Sequence, residues 1–197
     1  MRSERHRAVA LAPRLQIVSA IVLAAGASTR FGSPKQRLLL PEVLDRIRRA
    51  AVDDVVVVLG AHEVETDARV VQCAEWERGP GASLRCGLAA LSADAAVVVL
   101  ADGPDLAPAA VDRVVEAWRK SGEPVVVATY GGQRGHPVLL ARSVWADVPD
   151  EGARGLPALL VPCDDLGAPG DVDRADEVPE RLREPGDASA RDRGDSR

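Results

Sequence analysis

The chain has 197 residues, 46% of them hydrophobic and 28% charged, with a formal net charge of −5. That is enough for one globular domain with its own core, and the acidic balance argues against a general nucleic-acid coat or a polybasic membrane contact. Three cysteines, Cys73, Cys86 and Cys163, are odd in number and lack C-x-x-C spacing, so neither a disulfide framework nor a zinc ribbon is expected, and a reducing cytoplasm is the predicted compartment.

Residues 1–15 are predicted to form a flexible arm. Their basic start precedes an apolar run that Pro13, Arg14 and Gln16 interrupt, which leaves it too short for a membrane span. Residues 17–23 begin a series of valine- and isoleucine-rich runs, continued at 55–59, 96–100 and 125–129. Uninterrupted apolar runs of this length read as strands buried on both faces, as in a parallel sheet. Helical patterns lie between them. Val43, Leu44 and Ile47 give one face, with the pattern starting at Glu42 directly after Leu40-Pro41. Leu84, Leu88 and Leu91 give a second. Val111, Val114, Val115 and Trp118 give a third, with Pro108 suited to the first turn and Gly122 to the end. Only ten residues separate Leu59 from Val70, so either the helix there is vestigial or residues 70–72 do not run parallel to their neighbour. Strands alternating with helices predict an α/β three-layer sandwich with a mostly parallel sheet. The domain is expected to span residues 16–183, and the polar segment 184–197 to be a disordered tail.

The loop after the first strand is Leu23-Ala24-Ala25-Gly26-Ala27-Ser28-Thr29-Arg30-Phe31-Gly32-Ser33-Pro34-Lys35-Gln36. It falls at the carboxyl end of the sheet, where open α/β folds bind ligands. Gly26 allows close backbone approach, and consecutive N–H groups can cradle a polyphosphate, with Ser28 and Thr29 as further donors. Arg30 and Lys35 add positive charge. Lys35 is one of only two lysines among 25 basic residues, the other being Lys120. Neither G-x-G-x-x-G nor G-x-x-x-x-G-K-[ST] is present.

This loop resembles the L-A-A-G-x-S-x-R-x-G-x-x-K-Q signature of the MobA-like NTP transferases, and four further blocks resemble the family in order. They are Trp76-Glu77-Arg78-Gly79-Pro80-Gly81-Ala82-Ser83-Leu84, Leu100-Ala101-Asp102-Gly103-Pro104, Gly132-Gln133-Arg134-Gly135-His136-Pro137 and Asp171-Val172-Asp173. The third is similar to the cofactor branch, the molybdenum cofactor cytidylyltransferases. The resemblance implies a GT-A-type, Rossmann-like fold and transfer of a nucleotide from NTP to a phosphorylated small molecule, with release of pyrophosphate. CTP and molybdopterin cofactor are the favoured pair. A sugar-phosphate acceptor, or a nucleotide- or cofactor-binding chaperone without catalysis, are the alternatives.

On this reading Arg30, Lys35 and Asp102 carry catalysis, and Leu23, Ala24, Ala25, Gly26, Ser28, Arg30, Lys35, Gly81 and Ser83 bind nucleotide. Ser83 also suits the N-cap of a helix beginning near Leu84. The resemblance makes Asp102 a ligand of Mg2+, with Mn2+ able to substitute, and implies a second ligand in Asp171-Val172-Asp173, where Asp173 is favoured over Asp171. Arg134, His136 and Arg154 are the candidates for acceptor binding, although a lone histidine is also an ordinary structural residue, and Arg154 is either an anion contact or solvated. An acceptor phosphate is already ionised, so no general base or side-chain nucleophile is needed. The implied partners are the NTP, the acceptor and a cofactor-receiving enzyme, with no nucleic acid and no membrane. The chain departs from the family pattern in a trimmed segment after Pro41, in a trimmed connection at 60–70, and in Gly103, a position often held by glutamine in the cytidylyltransferases.

Overall fold

The computed structural model describes residues 15–28, 31 and 35–183. Thr29, Arg30, residues 32–34, residues 1–14 of the N-terminal arm and the whole C-terminal tail lie outside them. Seven strands form one sheet: β1 (Val18–Ala24), β2 (Asp54–Leu59), β3 (Arg69–Gln72), β4 (Ala95–Leu100), β5 (Val125–Tyr130), β6 (Gln133–Ala141) and β7 (Leu159–Pro162), in the order β3-β2-β1-β4-β6-β5-β7. Every pairing is parallel except those of β6, which runs antiparallel to both β4 and β5. The four predicted runs are four of these strands, and their valine-rich interiors are buried on both faces.

Three helices complete the layers: α1 (Gln36–Ile47), α2 (Pro80–Ala89) and α3 (Pro108–Ser121). Val43, Leu44 and Ile47 of α1, with Val111, Val114, Val115 and Trp118 of α3, pack on one face of the sheet against Val22, Val57, Val97 and Leu139. Leu84 and Leu88 of α2 pack on the other against Ile21, Val56, Val58 and Val98. α3 starts and stops as its sequence predicts. Pro108 sits in its first turn, and Gly122, at φ 70°, closes it by donating to the Trp118 carbonyl at 2.8 Å.

Several expectations need correction. α1 begins at Gln36, not Glu42, and runs through Pro41. Pro41 leaves the Arg37 carbonyl without an intrahelical donor, and burial of Leu39, Leu40, Val43, Leu44 and Ile47 outweighs that loss. α2 begins at Pro80, so its N-cap is Gly79 at φ 127° and Ser83 lies buried within the helix. Proline is preorganised for the first helical position, and glycine alone tolerates the backbone turn before it. Of the two alternatives expected for the short connection at 60–68, the first holds: β3 is parallel to β2 with no helix between them.

The cysteine prediction is also overturned: Cys73 and Cys86 form a disulfide with their Cα atoms 5.8 Å apart. Cys73 follows β3, and α2 packs over β2 and β3, so the two sulfurs meet through tertiary packing that spacing alone does not reveal. Cys163 is free and buried. Closing a loop of this size stabilises a fold by about 3 kcal/mol. Urea unfolding with and without a reductant should therefore differ by about that amount. Coincident curves, with free thiols counted before denaturation, would show that the bond does not form. Among the described residues, no helix is long and apolar enough to cross a membrane.

Candidate active site

A cavity of about 300 Å³ opens at the carboxyl ends of β1 and β4, and its walls include Leu23, Ala24, Gly26, Ser28, Lys35, Asp102 and Asp173. Residues from three distant parts of the chain thus meet where the sheet topology places a ligand. Gly26 has open space where a Cβ would sit. Ser28 adopts φ 52°, a left-handed conformation uncommon outside glycine.

Gln36, a residue to which sequence reasoning gave no role, fastens this loop. Its buried side chain donates to the Gly26 carbonyl at 2.7 Å and accepts from the Ser28 hydroxyl at 2.9 Å. The signal in the sequence is its place as the last fixed letter of the loop signature, directly after Lys35. His62 adds a third tie through Nε2, 2.9 Å from the Ala27 carbonyl. Ala25 is buried, and its carbonyl accepts from the Ala61 N–H at 3.1 Å.

Lys35 extends across the cavity to the acidic groups. Its Nζ is 2.9 Å from Asp102 Oδ2, 2.7 Å from the Val172 carbonyl and 3.6 Å from Asp173 Oδ1. The Val172 N–H donates to the Asp102 carbonyl at 3.0 Å, which binds the late acidic segment to the end of β4. Val172 is buried and Asp173 lines the cavity, while Asp171 is exposed and does not. Asp102 Oδ1 is buried and has no hydrogen-bond partner. A hard carboxylate oxygen left unsatisfied beside a second carboxylate fits a divalent cation of the magnesium type. Among the described residues no cluster of three or more ligand side chains exists, so further oxygens must come from substrate or water.

A second cavity, about 330 Å³, shares Leu23 with the first. Leu84, Val98, Leu100, Val127 and Val138 give it an apolar lining, and Arg134, His136, Glu151 and Arg154 add polar groups. The three predicted acceptor residues therefore do come together. Arg134 is committed to backbone, donating to the Arg154 and Leu156 carbonyls at 2.9 and 2.8 Å, so it holds the segment that carries Arg154. Desolvation lowers the His136 pKa to about 4, against the pull of Asp102, so the imidazole is neutral at physiological pH.

Gly81 and Ser83 line neither cavity, and α2 reaches the second one through Pro80 and Leu84. Gly81 instead donates its N–H to the Asp150 carbonyl at 2.9 Å. The tryptophans are packing residues: Trp118 is buried, Trp76 lies against Gly60, and Trp145 donates to the Leu140 carbonyl.

The sequence profile of the MobA-like NTP transferase domain matches residues 20–165. A protein of Chloroflexus aggregans named probable molybdenum cofactor guanylyltransferase is 30% identical over 128 residues, a match covering 60% of this chain and 61% of that protein. The match thus spans less than two thirds of that relative's length. Among solved structures, Rv0371c of Mycobacterium tuberculosis H37Rv is 31% identical with a TM-score of 0.65, covering 82% of this chain and 95% of that one. A second structure of Rv0371c, in complex with manganese, aligns at 26% identity and a TM-score of 0.57 over 74% of this chain and 88% of that one. The GT-A-type nucleotidyltransferase fold implied by the sequence blocks is the fold these neighbours share.

Proposed function

This chain belongs to the MobA-like NTP transferase family, and from that membership we propose that it transfers a nucleotide from an NTP to a phosphorylated small molecule, releasing pyrophosphate. The observation that carries the reading is the meeting of Lys35 with Asp102 and Asp173 in the cavity beneath the Gly26–Ser28 loop. The loop N–H groups face a polyphosphate, and Lys35, with Arg30, answers its negative charge. Asp102 and Asp173 would hold Mg2+ or Mn2+, which supplies positive charge to the triphosphate and the incoming phosphate when bound. The second cavity takes the acceptor, with Arg154 at its edge and the neutral His136 beside the junction with the first. Catalysis is then alignment and charge neutralisation, and no side-chain nucleophile takes part.

We favour molybdopterin cofactor as acceptor and CTP as donor, the latter on Ala25 in the L-A-A-G sequence. GTP is the competing donor, on the strength of the guanylyltransferase relative. A cofactor-receiving enzyme is the proposed downstream partner. The cytoplasmic location can no longer rest on unpaired cysteines. It rests on the need for NTP, in a compartment where the Cys73–Cys86 bond meets reducing thiols.

Pyrophosphate release over a panel of NTPs, with molybdopterin cofactor and sugar phosphates as acceptors, tests the reading. We expect turnover with CTP and the cofactor. Turnover with GTP alone reassigns the base, and turnover only on a sugar phosphate reassigns the acceptor. NTP binding without turnover on any acceptor would replace the enzyme by a binding protein.

A further inference from the structure

The Lys35 ammonium donates to Asp102 Oδ2 at 2.9 Å and to the Val172 carbonyl at 2.7 Å, and forms an ion pair with Asp173 Oδ1 at 3.6 Å. It is therefore bound to the very carboxylates that suit a divalent cation. The Lys35 side chain is 13% exposed and those of Asp102 and Asp173 are 24% and 29% exposed, so solvent screens these charges only in part. The ammonium offsets one of the two negative charges that Asp102 and Asp173 bring to the cavity. One oxygen of Asp102 is also taken, while the other, Oδ1, stays buried without a hydrogen.

We propose that Lys35 is an internal counter-ion: in the nucleotide-free protein its ammonium competes with a divalent cation for Asp102 and Asp173, and a bound triphosphate draws it away. The idea rests on the proposed nucleotidyl transfer and adds an order of events to it. Two positive groups within a few ångströms of the same oxygens repel each other, so the ammonium weakens cation binding until a phosphate gives it another partner. Lysine suits this exchange. Its charge is compact and rides on a flexible four-carbon stem, so Nζ can move while the backbone stays at the start of α1. An arginine would grip a carboxylate with two parallel hydrogen bonds and release it less readily. That gives a physical reason for a lysine at this position in a chain whose other basic residues are nearly all arginine.

The test is a Mn2+ titration of the full chain without nucleotide, following the electron paramagnetic resonance of the free ion. Lys35→Met keeps the length of the side chain and removes its charge. It should bind Mn2+ at least about 10-fold more tightly than the wild type, within the span of typical coupling between sites. Lys35→Arg should show no such gain. The tightening should vanish when Asp102→Asn is added to Lys35→Met. Thermal melting checks each fold, and Lys35→Gln replaces Lys35→Met if the methionine variant does not fold. Equal Mn2+ affinity in wild type and Lys35→Met, with calorimetry still showing that CTP or GTP binds the protein in the presence of Mn2+, would overturn the counter-ion role and leave the proposed transfer standing. No Mn2+ binding by either protein, and no binding of CTP or GTP by calorimetry with Mn2+ present, would overturn both.

Discussion

Replacing Asp102 by asparagine should leave the fold intact and lower nucleotidyl transfer by more than about 100-fold, since the loss of even an outer partner of a metal ligand costs 10- to 100-fold. The asparagine side chain has nearly the same shape, and the backbone bond from Val172 to the residue-102 carbonyl does not involve it. What disappears is charge. The amide can offer one neutral oxygen, to Lys35 or to a cation, and it places an NH2 group where Asp102 Oδ1 or Oδ2 stood. Pyrophosphate release measures the activity, and circular dichroism melting measures the fold. Activity within threefold of wild type would remove Asp102 from the reaction, and most of the enzymatic reading with it.

The largest expected effect on stability is at Gly81. In the interior of a helix an alanine is normally favoured over glycine by about 1 kcal/mol, and Gly81, the second residue of α2, would feel part of that preference. Here the sign reverses, because a Cβ on Gly81 would lie 1.7 Å from the Pro149 carbonyl oxygen and 2.9 Å from the Asp150 carbonyl carbon. Both neighbours are backbone, so neither can turn aside. Arg85 of the same helix ties that segment down further, donating to the Val148 carbonyl at 2.7 Å and pairing with Asp150. Gly81→Ala should cost about 3 kcal/mol or more, the upper end for forcing extra atoms into a filled space. The cost should appear in urea unfolding. Gly155→Ala is the control: nothing lies within 4 Å of its Cβ position, and the change should stay within about 0.5 kcal/mol. Equal stabilities for the two variants would mean that residues 149 and 150 yield freely to α2.

The legibility of the fold follows burial. β1, β2 and β4 lie side by side in the sheet and are covered on both faces, so their sequences are continuous apolar runs that admit one reading. β6 was not legible as a strand. Its first four residues are exposed or half-buried, Gly135 and Pro137 read as a loop motif, and the strand enters the core only from Pro137 onward. β7 has four residues and one buried side chain, too little pattern to detect. The site was legible as a set of residue types but not as an arrangement. Lys35 was expected beside a phosphate, and its bonds to Asp102 and Val172, 67 and 137 positions away, run across contacts that only the folded sheet creates. Gln36 escaped because a glutamine at a helix start has no distinctive chemistry until its two loop partners are seen.

The reversed direction of β6 has a wider consequence. A strand antiparallel to β4 begins at the edge where β4 ends, so His136 and its neighbours arrive beside Asp102 from the opposite sense of the chain. The sheet therefore has a seam between β4 and β6. On one side lie β1 and β4 with the Gly26–Ser28 loop, and on the other lie β5, β6 and the segment carrying Arg154. On the proposed reading the acceptor cavity straddles this seam, taking Leu23, Val98 and Leu100 from one side and Val138, His136 and Arg154 from the other. Substitutions on β6 and in the segment carrying Arg154 can then alter which phosphate is modified, provided that Val172 and Asp173, which follow them in the chain, keep their places beside Lys35 and Asp102.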